Sequence, residues 1–572
     1  MVPALKVSIG QHTDKGPKPE NQDCHGIRIP QDGLLTMKGI AVAMADGISS
    51  SEVSHVASET AVKSLLDDYY CTSEAWSVKS AVERVLTATN SWLYSQSRHG
   101  LGQYDKDKGY VCTLSALVLK HHTAHVFHVG DTRIYRLNAN GLEQLTNDHR
   151  VWISREQSYL SRALGVEPYC HVDYHALRLQ PDDLFIISSD GLYDFISTER
   201  LVETVQSHPA DLDTAARTLV KLALEAGSDD NLSIQLVRID GLPDATSNIR
   251  QQLESLPIPP RLSARTVFDG YTIIRELHAS SRSYVYLAQD NASRKTVALK
   301  MPTIAAGSDM AHLERFLQEE WIARRISSPY VLKADLAERP RSALYTVFEY
   351  IEGQTLTQWA TDNPKPDITT VRQIIEQIAR GLHAFHRMEM LHQDLRPENI
   401  MLDRTGTVRI MDFGSVSVAG LQENTMETPL THLLGTALYS APEYFLGEPG
   451  TPQSDLFSLG VITYFLLSGH YPYGNEVAKN KTRAAQRKLV YRTVLAEDRA
   501  IPAWVDDAIR KAVHPLPERR YEELFEFTHD LRQPSRRFVN QHRPPLMERN
   551  PVMLWQGISF ALGLVILYLL ST

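Results

Sequence analysis

The sequence contains little cysteine and has no excess of basic residues. Four cysteines occur among 572 residues, none of them in a CxxC pair, so neither a zinc ribbon nor a disulfide framework is predicted, and a reducing compartment fits. Lys and Arg number 59 against 68 Asp and Glu, a formal net charge of −9, which argues against a protein whose main role is to bind nucleic acid. The first residues lack a basic start and a long apolar run, so no signal peptide is predicted.

What is present divides the chain into five regions of different composition. Residues 1–240 alternate between strand-like and helix-like runs, whereas residues 268–531 begin with strand-like runs and continue mainly with helix-like ones. The intervening region holds four prolines among polar residues and is predicted to be a semi-extended linker. The sequence therefore predicts a multidomain α+β chain with domains at 1–240 and 268–531, a linker at 241–267, a basic segment at 532–551 and an apolar segment at 552–570.

The apolar segment is long enough to cross a bilayer. Val552–Leu570 carries no charge, and as a helix it would reach about 28 Å, close to the roughly 30 Å hydrocarbon core. The alternative is a buried C-terminal helix, although the segment is apolar on all faces. Five arginines against one acid precede it in 531–550, and such basic flanks stay on the cytoplasmic side. We therefore predict a single transmembrane helix with both domains cytoplasmic.

Three apolar strands of the first domain end in an aspartate beside a glycine: Asp46, Asp131 and Asp190. Asp230 lies in a fourth acidic cluster that leads into another strand. Any one Asp-Gly pair is typical of a tight turn. Several carboxylates delivered to one place repel each other unless a cation neutralises them. Oxygen ligands without histidine or thiolate suit Mg²⁺ or Mn²⁺ better than zinc.

The order of these motifs resembles the metal-dependent protein serine/threonine phosphatases, the PPM family. The matching pieces are Glu20-Asn21-Gln22-Asp23, Ala45-Asp46-Gly47, Val129-Gly130-Asp131-Thr132-Arg133, Ser161-Arg162-Ala163-Leu164-Gly165, Ser189-Asp190-Gly191 and Asp230-Asn231. The resemblance implies a four-layer α/β/β/α sandwich with two or three Mn²⁺ or Mg²⁺ ions. It also implies metal-binding roles for Asp23, Asp46, the Gly47 carbonyl, Asp131, Asp190 and Asp230, with Asp131 as a third-metal ligand of the prokaryotic branch.

The implied reaction is hydrolysis of phosphoserine and phosphothreonine by a metal-activated water, without a phospho-enzyme. Two positions depart from the family pattern. Gln22 stands where many members carry an acid, so one metal would rely more on water. Lys18 stands where many members carry a phosphate-binding arginine; it is either a weaker phosphate ligand or a solvated loop lysine.

The second domain contains four motifs in a fixed order. They are Val297-Ala298-Leu299-Lys300, His392-Gln393-Asp394-Leu395-Arg396-Pro397-Glu398-Asn399, Asp412-Phe413-Gly414 and Ala441-Pro442-Glu443. Each string alone is weak evidence, but together they resemble the protein kinases across about 268–531. The resemblance implies a two-lobed fold with ATP and Mg²⁺ between the lobes.

The kinase resemblance assigns a role to each charged position. Lys300 would hold the α/β-phosphates with Glu319 as its helix partner, or Glu320 as the fallback. Asp394 would accept the substrate's hydroxyl proton. The remaining implied roles are Asn399 and Asp412 on Mg²⁺, Arg396 near the γ-phosphate, Glu349 and Ile351 in the adenine-contacting connector, a Glu443–Arg520 pair, and Asp455 as anchor of the catalytic loop.

The glycine-rich loop is the main departure from the kinase pattern. All three expected glycines are replaced, by His278, Ser280 and Ser283, which restricts how closely the backbone can approach phosphate. Every charged catalytic position is kept, so an active kinase is favoured over a pseudokinase. Gln393 replaces an arginine that grips a phosphorylated activation loop in many kinases.

Together these observations predict a bifunctional enzyme at a membrane, the bacterial inner membrane by its prokaryotic features. The expected partners are phosphoprotein and protein substrates, including its own kinase domain, and no nucleic acid. The alternative is an active phosphatase whose kinase half is only a scaffold. Substrates, signal and oligomeric state stay open.

Overall fold

The chain forms two compact units in a computed structural model that describes residues 5–99, 101–152, 158–243, 256–335, 339–423, 437–496, 501–541 and 551–571. The first unit comprises Met1–Ser255 with two short later segments, Met388–Met390 and Val418–Thr428. The second unit comprises the other residues from Leu256 onward. Each unit has its own sheets and helices and is described by itself.

The first unit is built on two antiparallel five-stranded sheets. One has the strand order Lys6–Asp14, Leu232–Gly241, Leu184–Ser188, Arg133–Asn138 and Gly141–Gln144. The other has the order Asp173–Arg178, Thr123–Val129, Leu114–Lys120, Ile40–Asp46 and Asp23–Arg28. Arg150–Trp152 and Ser158–Leu160 pair only with each other among the described strands.

Alternating side chains along these strands fill three hydrophobic layers. Val42 and Met44 pack with Phe185 and Val237 between the sheets, while Ala41, Ala43 and Ala45 face the opposite side. The outer layers are closed by helices Ser54–Cys71 and Val78–His99 on one sheet and by Thr198–Ser207 and Leu212–Glu225 on the other. The unit is thus the predicted α/β/β/α sandwich. Shorter helices are Asp32–Lys38, Leu101–Gln103, Lys106–Lys108, Asp190–Tyr193 and Ala419–Gln422.

The second unit begins with a sheet and continues mainly with helices. Its antiparallel sheet has the order Val267–Phe268, Tyr271–Ala279, Ser283–Asp290, Thr296–Pro302 and Thr346–Glu349. Helices Ile304–Ser308 and Met310–Arg325 follow the fourth strand. Residues before 268, which the sequence predicts as linker, pack on this unit from Leu256 onward: the Leu344 N–H donates to the Pro257 carbonyl at 2.9 Å.

Helices make up most of the remaining second unit. Ile368–His386 packs against Pro452–Ser468 and Leu524–Arg532, and Ala503–Ala512 packs against the last two. A short strand at Gly353–Thr355 precedes the first of these helices. Further short strands between Ile368–His386 and Pro452–Ser468 are Met390–Leu391, Ile400–Asp403, Val408–Ile410 and Ser417–Val418. Shorter helices are Leu356–Asp362, Pro397–Asn399, Pro442–Leu446, Glu476–Lys479, Arg483–Gln486, Val494–Ala496, Pro517–Arg519 and Arg536–Gln541.

The apolar C-terminal segment forms the helix Pro551–Ser571. In the parts of the chain that the structure describes, no helix combines the length and apolar character needed to span a membrane. The transmembrane helix predicted at 552–570 therefore has no support from the structure. Most of the basic segment predicted at 532–551 lies outside the described residues.

Candidate active sites

The first site is built where two neighbouring strands of one sheet meet. Asp23, at the start of Asp23–Arg28, stands opposite Asp46, at the end of Ile40–Asp46. The Ser189 hydroxyl donates to Asp23 Oδ2 at 2.9 Å. Asp23 Oδ1 is buried and has no hydrogen-bond partner among the described residues. A buried carboxylate oxygen without a donor is costly unless a cation neutralises it.

Five predicted metal-binding carboxylates lie close enough to affect one another. Burial raises the pKa of Asp46 well above its usual value, and Asp23, Asp190, Asp131 and Asp230 raise it further. Burial, more than any neighbour, also raises the pKa of Asp23 to about 6 and that of Asp190 to about 7. The structure therefore brings together the aspartates that the sequence delivers from separate strand ends.

Backbone contacts fix the loops that carry these carboxylates. The Gln22 N–H donates to Asn231 Oδ1 at 2.8 Å, and the Gly47 N–H donates to the Gln22 carbonyl at 3.1 Å. A Cβ on Gly47 would lie 2.8 Å from the backbone of Ser54, so only glycine fits there. The Gln22 side chain donates to the Ser51 carbonyl at 2.8 Å. Asn231, for which no separate role is predicted from the sequence, organises the loop.

Lys18 reaches the edge of this site. Its Nζ lies 3.2 Å from Asp230 Oδ2 and 3.3 Å from the Ser49 hydroxyl. The lysine is therefore held beside the acidic cluster. It is not a freely solvated loop residue, which is the second interpretation of its sequence position. A role in binding phosphate stays a prediction.

Arg150 is the charged residue that sequence reasoning missed. Its Nε lies 2.5 Å from Asp131 Oδ2, its Nη2 lies 2.6 Å from Asp190 Oδ2, and its Nη1 lies 3.8 Å from Asp194 Oδ2. Arg150 follows His149, which hydrogen-bonds to the Gly130 N–H and to Asp173 at 3.0 Å each and so has a structural role. No motif marks Arg150, because its contacts are made across the fold.

The donor set at this site suits a hard divalent cation. The possible metal ligands among its described side chains are carboxylate oxygens, which include the orphaned Asp23 Oδ1, while Lys18 and Arg150 bring cationic nitrogens to the same cluster. Even so, no group of three or more His, Cys, Asp or Glu side chains is arranged to hold a metal ion within the described ranges. Metal ligation by Asp23, Asp46, Gly47, Asp131, Asp190 and Asp230 therefore stays a prediction, as it does for Asn399 and Asp412.

The second site centres on a buried ion pair. Lys300 Nζ lies 2.8 and 2.6 Å from the two carboxylate oxygens of Glu319 and 3.8 Å from Asp412 Oδ1. Burial alone would lower the pKa of Lys300, but Glu319 and Asp412 raise it above its usual value. Glu320, the fallback partner, instead pairs with Arg324 at 2.7 Å and Arg341 at 2.5 Å.

The catalytic-loop residues lie side by side. Asn399 Nδ2 donates to the Asp394 carbonyl at 2.9 Å and to its Oδ2 at 3.1 Å. Arg396 Nε lies 3.7 Å from Asp394 Oδ2. Asp455 accepts from the N–H groups of His392 and Gln393 at 2.9 and 3.0 Å. Asp455 thus anchors this loop.

Three further contacts support the site from outside. Glu443 pairs with Arg520 at 2.7 Å, deep in the unit. Glu349 Oε1 accepts from the Lys333 N–H at 3.0 Å, and Ile351 is buried in the following connector. Glu443 and Arg520 form a structural pair, whereas the adenine-contacting role of Glu349 and Ile351 stays a prediction.

The loop that lacks its glycines is closed on itself. The Ser280 hydroxyl accepts from the N–H groups of Arg282 and Ser283 at 3.2 and 3.0 Å. The Thr303 hydroxyl and N–H donate to the Ser281 and Arg282 carbonyls at 2.7 and 3.0 Å. The turn is therefore tied both internally and to the neighbouring strand end.

Each unit matches the model of a known protein family. The family model for "Protein phosphatase 2C" matches residues 12–233, and that for "Protein kinase domain" matches residues 271–531. The serine/threonine-protein kinase PrkC of Bacillus subtilis is 29% identical over 316 residues, covering 53% of this chain and 47% of that protein. The chain thus spans about half the length of this relative. These matches support enzymatic activity in both units.

Solved structures resemble each unit at low identity. The serine/threonine phosphatase PstP/Ppp of Mycobacterium tuberculosis is 21% identical, covering 41% of this chain and 99% of that one, with a TM-score of 0.34. The Mycobacterium tuberculosis PknI kinase domain is 24% identical, covering 48% and 98%, with a TM-score of 0.37. Scores this low carry no further argument.

Proposed function

We propose that this chain is a bifunctional enzyme that removes phosphate from phosphoserine and phosphothreonine with one unit and transfers phosphate to serine or threonine with the other. One observation carries the proposal: each unit gathers its own set of charged side chains. The first unit clusters four aspartates around Asp46. The second pairs Lys300 with Glu319 beside Asp412.

In the phosphatase unit the carboxylates Asp23, Asp46, Asp190 and Asp230 would hold Mn²⁺ or Mg²⁺, with Asp131 toward a third ion. Divalent ions bound there would supply a nucleophilic hydroxide at neutral pH and neutralise phosphate charge. The chain's own residues bind and orient the substrate: Lys18 lies at the edge of the cluster, where its ammonium can meet a phosphate oxygen. In the hydrolysis the oxygen of a water molecule bonds to phosphorus, the bond from phosphorus to the serine or threonine oxygen breaks, and one proton of that water passes to the leaving oxygen.

In the kinase unit the side chains position two reactants. Lys300, fixed by Glu319, would hold the α/β-phosphates of ATP, and Asn399 and Asp412 would hold Mg²⁺. Asp394 would accept the proton of the attacking hydroxyl. The new bond joins that oxygen to the γ-phosphorus, and the bond to the β-phosphate oxygen breaks to release ADP.

The alternative is that the kinase unit binds proteins without transferring phosphate. The closed turn at Ser280 favours this reading, because its N–H groups bond to a serine hydroxyl instead of facing phosphate. A γ-phosphate transfer assay on the full chain, with Lys300→Ala as control, separates the two. Signal equal to that control would favour the scaffold.

A paired assay tests the bifunctional proposal. The purified full chain should hydrolyse a phosphopeptide with Mn²⁺ and phosphorylate acceptor proteins with ATP and Mg²⁺. Asp190→Asn should abolish only the first activity and Lys300→Ala only the second. If Asp190→Asn left phosphopeptide hydrolysis intact, the phosphatase assignment would be wrong.

The kinase unit is itself a proposed substrate of the phosphatase unit, in the same or another chain. Phosphate on the kinase unit should then accumulate in Asp190→Asn relative to the unaltered protein after incubation with ATP. Equal phosphate in both, with the kinase active, would contradict this.

We also propose that the C-terminal helix anchors the chain to the cytoplasmic face of a membrane. Large apolar side chains are exposed along it, among them Val552, Trp555, Phe560, Leu567 and Tyr568, and an arginine-rich segment precedes it. The full chain should sediment with membranes, whereas residues 1–550 should not. Equal distribution of both would rule out this anchor.

A further inference from the structure

Arg150 differs from Arg133 and Arg136 of the first unit in the number of carboxylates with which it pairs. Arg133 pairs with Asp148 and Arg136 pairs with Asp183, each with one carboxylate at 2.6 Å. Arg150 instead joins two carboxylates, Asp131 at 2.5 Å and Asp190 at 2.6 Å.

Few other groups are placed to neutralise the negative charges of Asp131 and Asp190. Asp131 is buried and Asp190 is partly buried, and nitrogens of Arg150 lie within hydrogen-bond distance of both carboxylates. The side chain of Arg150 is 15% exposed, so water screens these contacts weakly. A planar guanidinium can bond two acids at once and never loses its charge. Arg150 is therefore a permanently charged internal cation within the acidic cluster.

The position of Arg150 in the fold allows it to withdraw. It begins the strand Arg150–Trp152, which pairs only with Ser158–Leu160 among the described strands. Neither strand belongs to the two large sheets, so moving the Arg150 side chain breaks no hydrogen bond of either sheet, and the preceding His149 N–H keeps its bond to the Gly130 carbonyl at 2.7 Å. Asp131, in contrast, is held in place, since its carbonyl accepts from the Tyr193 hydroxyl at 2.9 Å.

We propose that Arg150 is a built-in competitor of the divalent cation at Asp131 and Asp190. A metal ion can use both carboxylates only when the guanidinium leaves them, so Arg150 weakens metal binding at this position and sets the metal concentration that the site requires. The inference rests on the proposed phosphatase function, because the cation belongs to that site.

Metal titration of the full chain without nucleotide tests the proposal. Arg150→Met keeps the aliphatic stem and removes the charge, and Arg150→Lys keeps the charge without the fork. Arg200→Gln removes an exposed arginine whose ion pair among the described residues is with Glu203. Calorimetric titration with Mn²⁺ should give a Kd lower by about tenfold for Arg150→Met, an intermediate value for Arg150→Lys, and no change for Arg200→Gln.

Thermal unfolding provides a second readout that does not depend on activity. Without metal, Arg150→Met should melt below the unaltered protein, since Asp131 and Asp190 lose their counter-charge. With saturating Mn²⁺ the gain in Tm should be larger for Arg150→Met than for the unaltered chain, and Arg150→Lys covers the case in which Arg150→Met fails to fold.

The outcomes separate this inference from the proposed function. If the unaltered chain binds Mn²⁺ and hydrolyses phosphopeptide, but the Arg150 variants bind Mn²⁺ no more tightly, the competitor role is overturned alone. If the unaltered chain binds no Mn²⁺ at all, the phosphatase proposal falls together with it.

Discussion

The hydroxyl of Ser280 accepts a hydrogen bond from the backbone N–H of Ser283 at 3.0 Å. In a glycine-rich loop, backbone groups at this place cover the phosphates of ATP. Here the serine side chain occupies the donor that a phosphate oxygen would use, and it also binds the N–H of Arg282. If this unit binds ATP as proposed, the turn has to open before these N–H groups can contact the phosphates.

Removing this hydroxyl should improve nucleotide binding. Ser280→Ala frees two N–H groups, so we expect ATP·Mg²⁺ to bind several-fold more tightly, about 1 kcal/mol for the released donors. Fluorescence or calorimetric titration of the full chain measures this. Ser281→Ala is the matched control, because Thr303 bonds to the Ser281 carbonyl and not to its side chain. Weaker binding by Ser280→Ala would show that the hydroxyl supports the nucleotide site.

Substituting the central aspartate should separate stability from activity. Asp46→Asn removes a buried carboxyl whose pKa is raised by burial and by four neighbouring acids, so the metal-free protein should gain about 0.5–2 kcal/mol. Phosphopeptide hydrolysis should fall by more than the roughly 10–100-fold typical of outer-sphere partners. Urea unfolding in EDTA and a phosphatase assay measure the two effects. A variant that is both less stable and still active would contradict the expectation.

Adjacent glutamates should have different roles. Glu319→Gln loosens Lys300, so kinase activity should fall by about a hundredfold with little change in stability. Glu320→Gln instead weakens contacts to Arg324 and Arg341, so the free energy of unfolding should fall by about 1–3 kcal/mol while kinase activity per folded molecule is kept. Kinase rates and urea unfolding of both variants test this, and the reverse pattern would make Glu320 the partner of Lys300.

Lys38 should make stability depend on alkaline pH. Burial and, less strongly, Lys120 lower its pKa from 10.5 to about 8. Between pH 8 and 10.5 the unfolded chain therefore binds more protons at this residue than the folded chain, so Lys38 adds to the unfolding free energy as pH rises. The gain is of the order of 1–3 kcal/mol.

The comparison variant for this effect is Lys38→Met. The difference in unfolding free energy between the unaltered protein and Lys38→Met should move in favour of the unaltered protein from pH 7.5 to 9.5. Groups common to both proteins cancel in this difference. Parallel curves over that range would mean that Lys38 titrates normally in the folded state.

Many residues of both sites could be predicted because they lie on strands or close to the ends of strands. Asp46 ends the apolar strand Ile40–Asp46, and Asp190 lies two positions after the apolar strand Leu184–Ser188, as the first residue of a short helix. Such strands bring the side chains at their ends to a fixed place. Lys300 was likewise identified on a strand. These positions follow from local pattern and motif order.

Contacts made across the fold could not be predicted in the same way. Glu319 and Glu320 are neighbours on one helix and differ by about 100° in direction, so only packing decides which one meets Lys300. Arg150 reaches Asp190 over 40 positions of sequence, and no motif marks it. The self-closed turn at Ser280 depends on side-chain bonding that the loss of glycine alone does not specify.

Gln393 and Asp412 both adopt left-handed backbone conformations, with φ of 64° and 65°. Each costs about 1–3 kcal/mol for a residue other than glycine, and the bond from the Gln393 N–H to Asp455 helps to hold the first of them. Engineers who screen this protein for heat resistance alone would therefore tend to select glycine at position 393. The selected variant would be more heat-resistant, but its catalytic loop would be positioned less accurately for phosphate transfer.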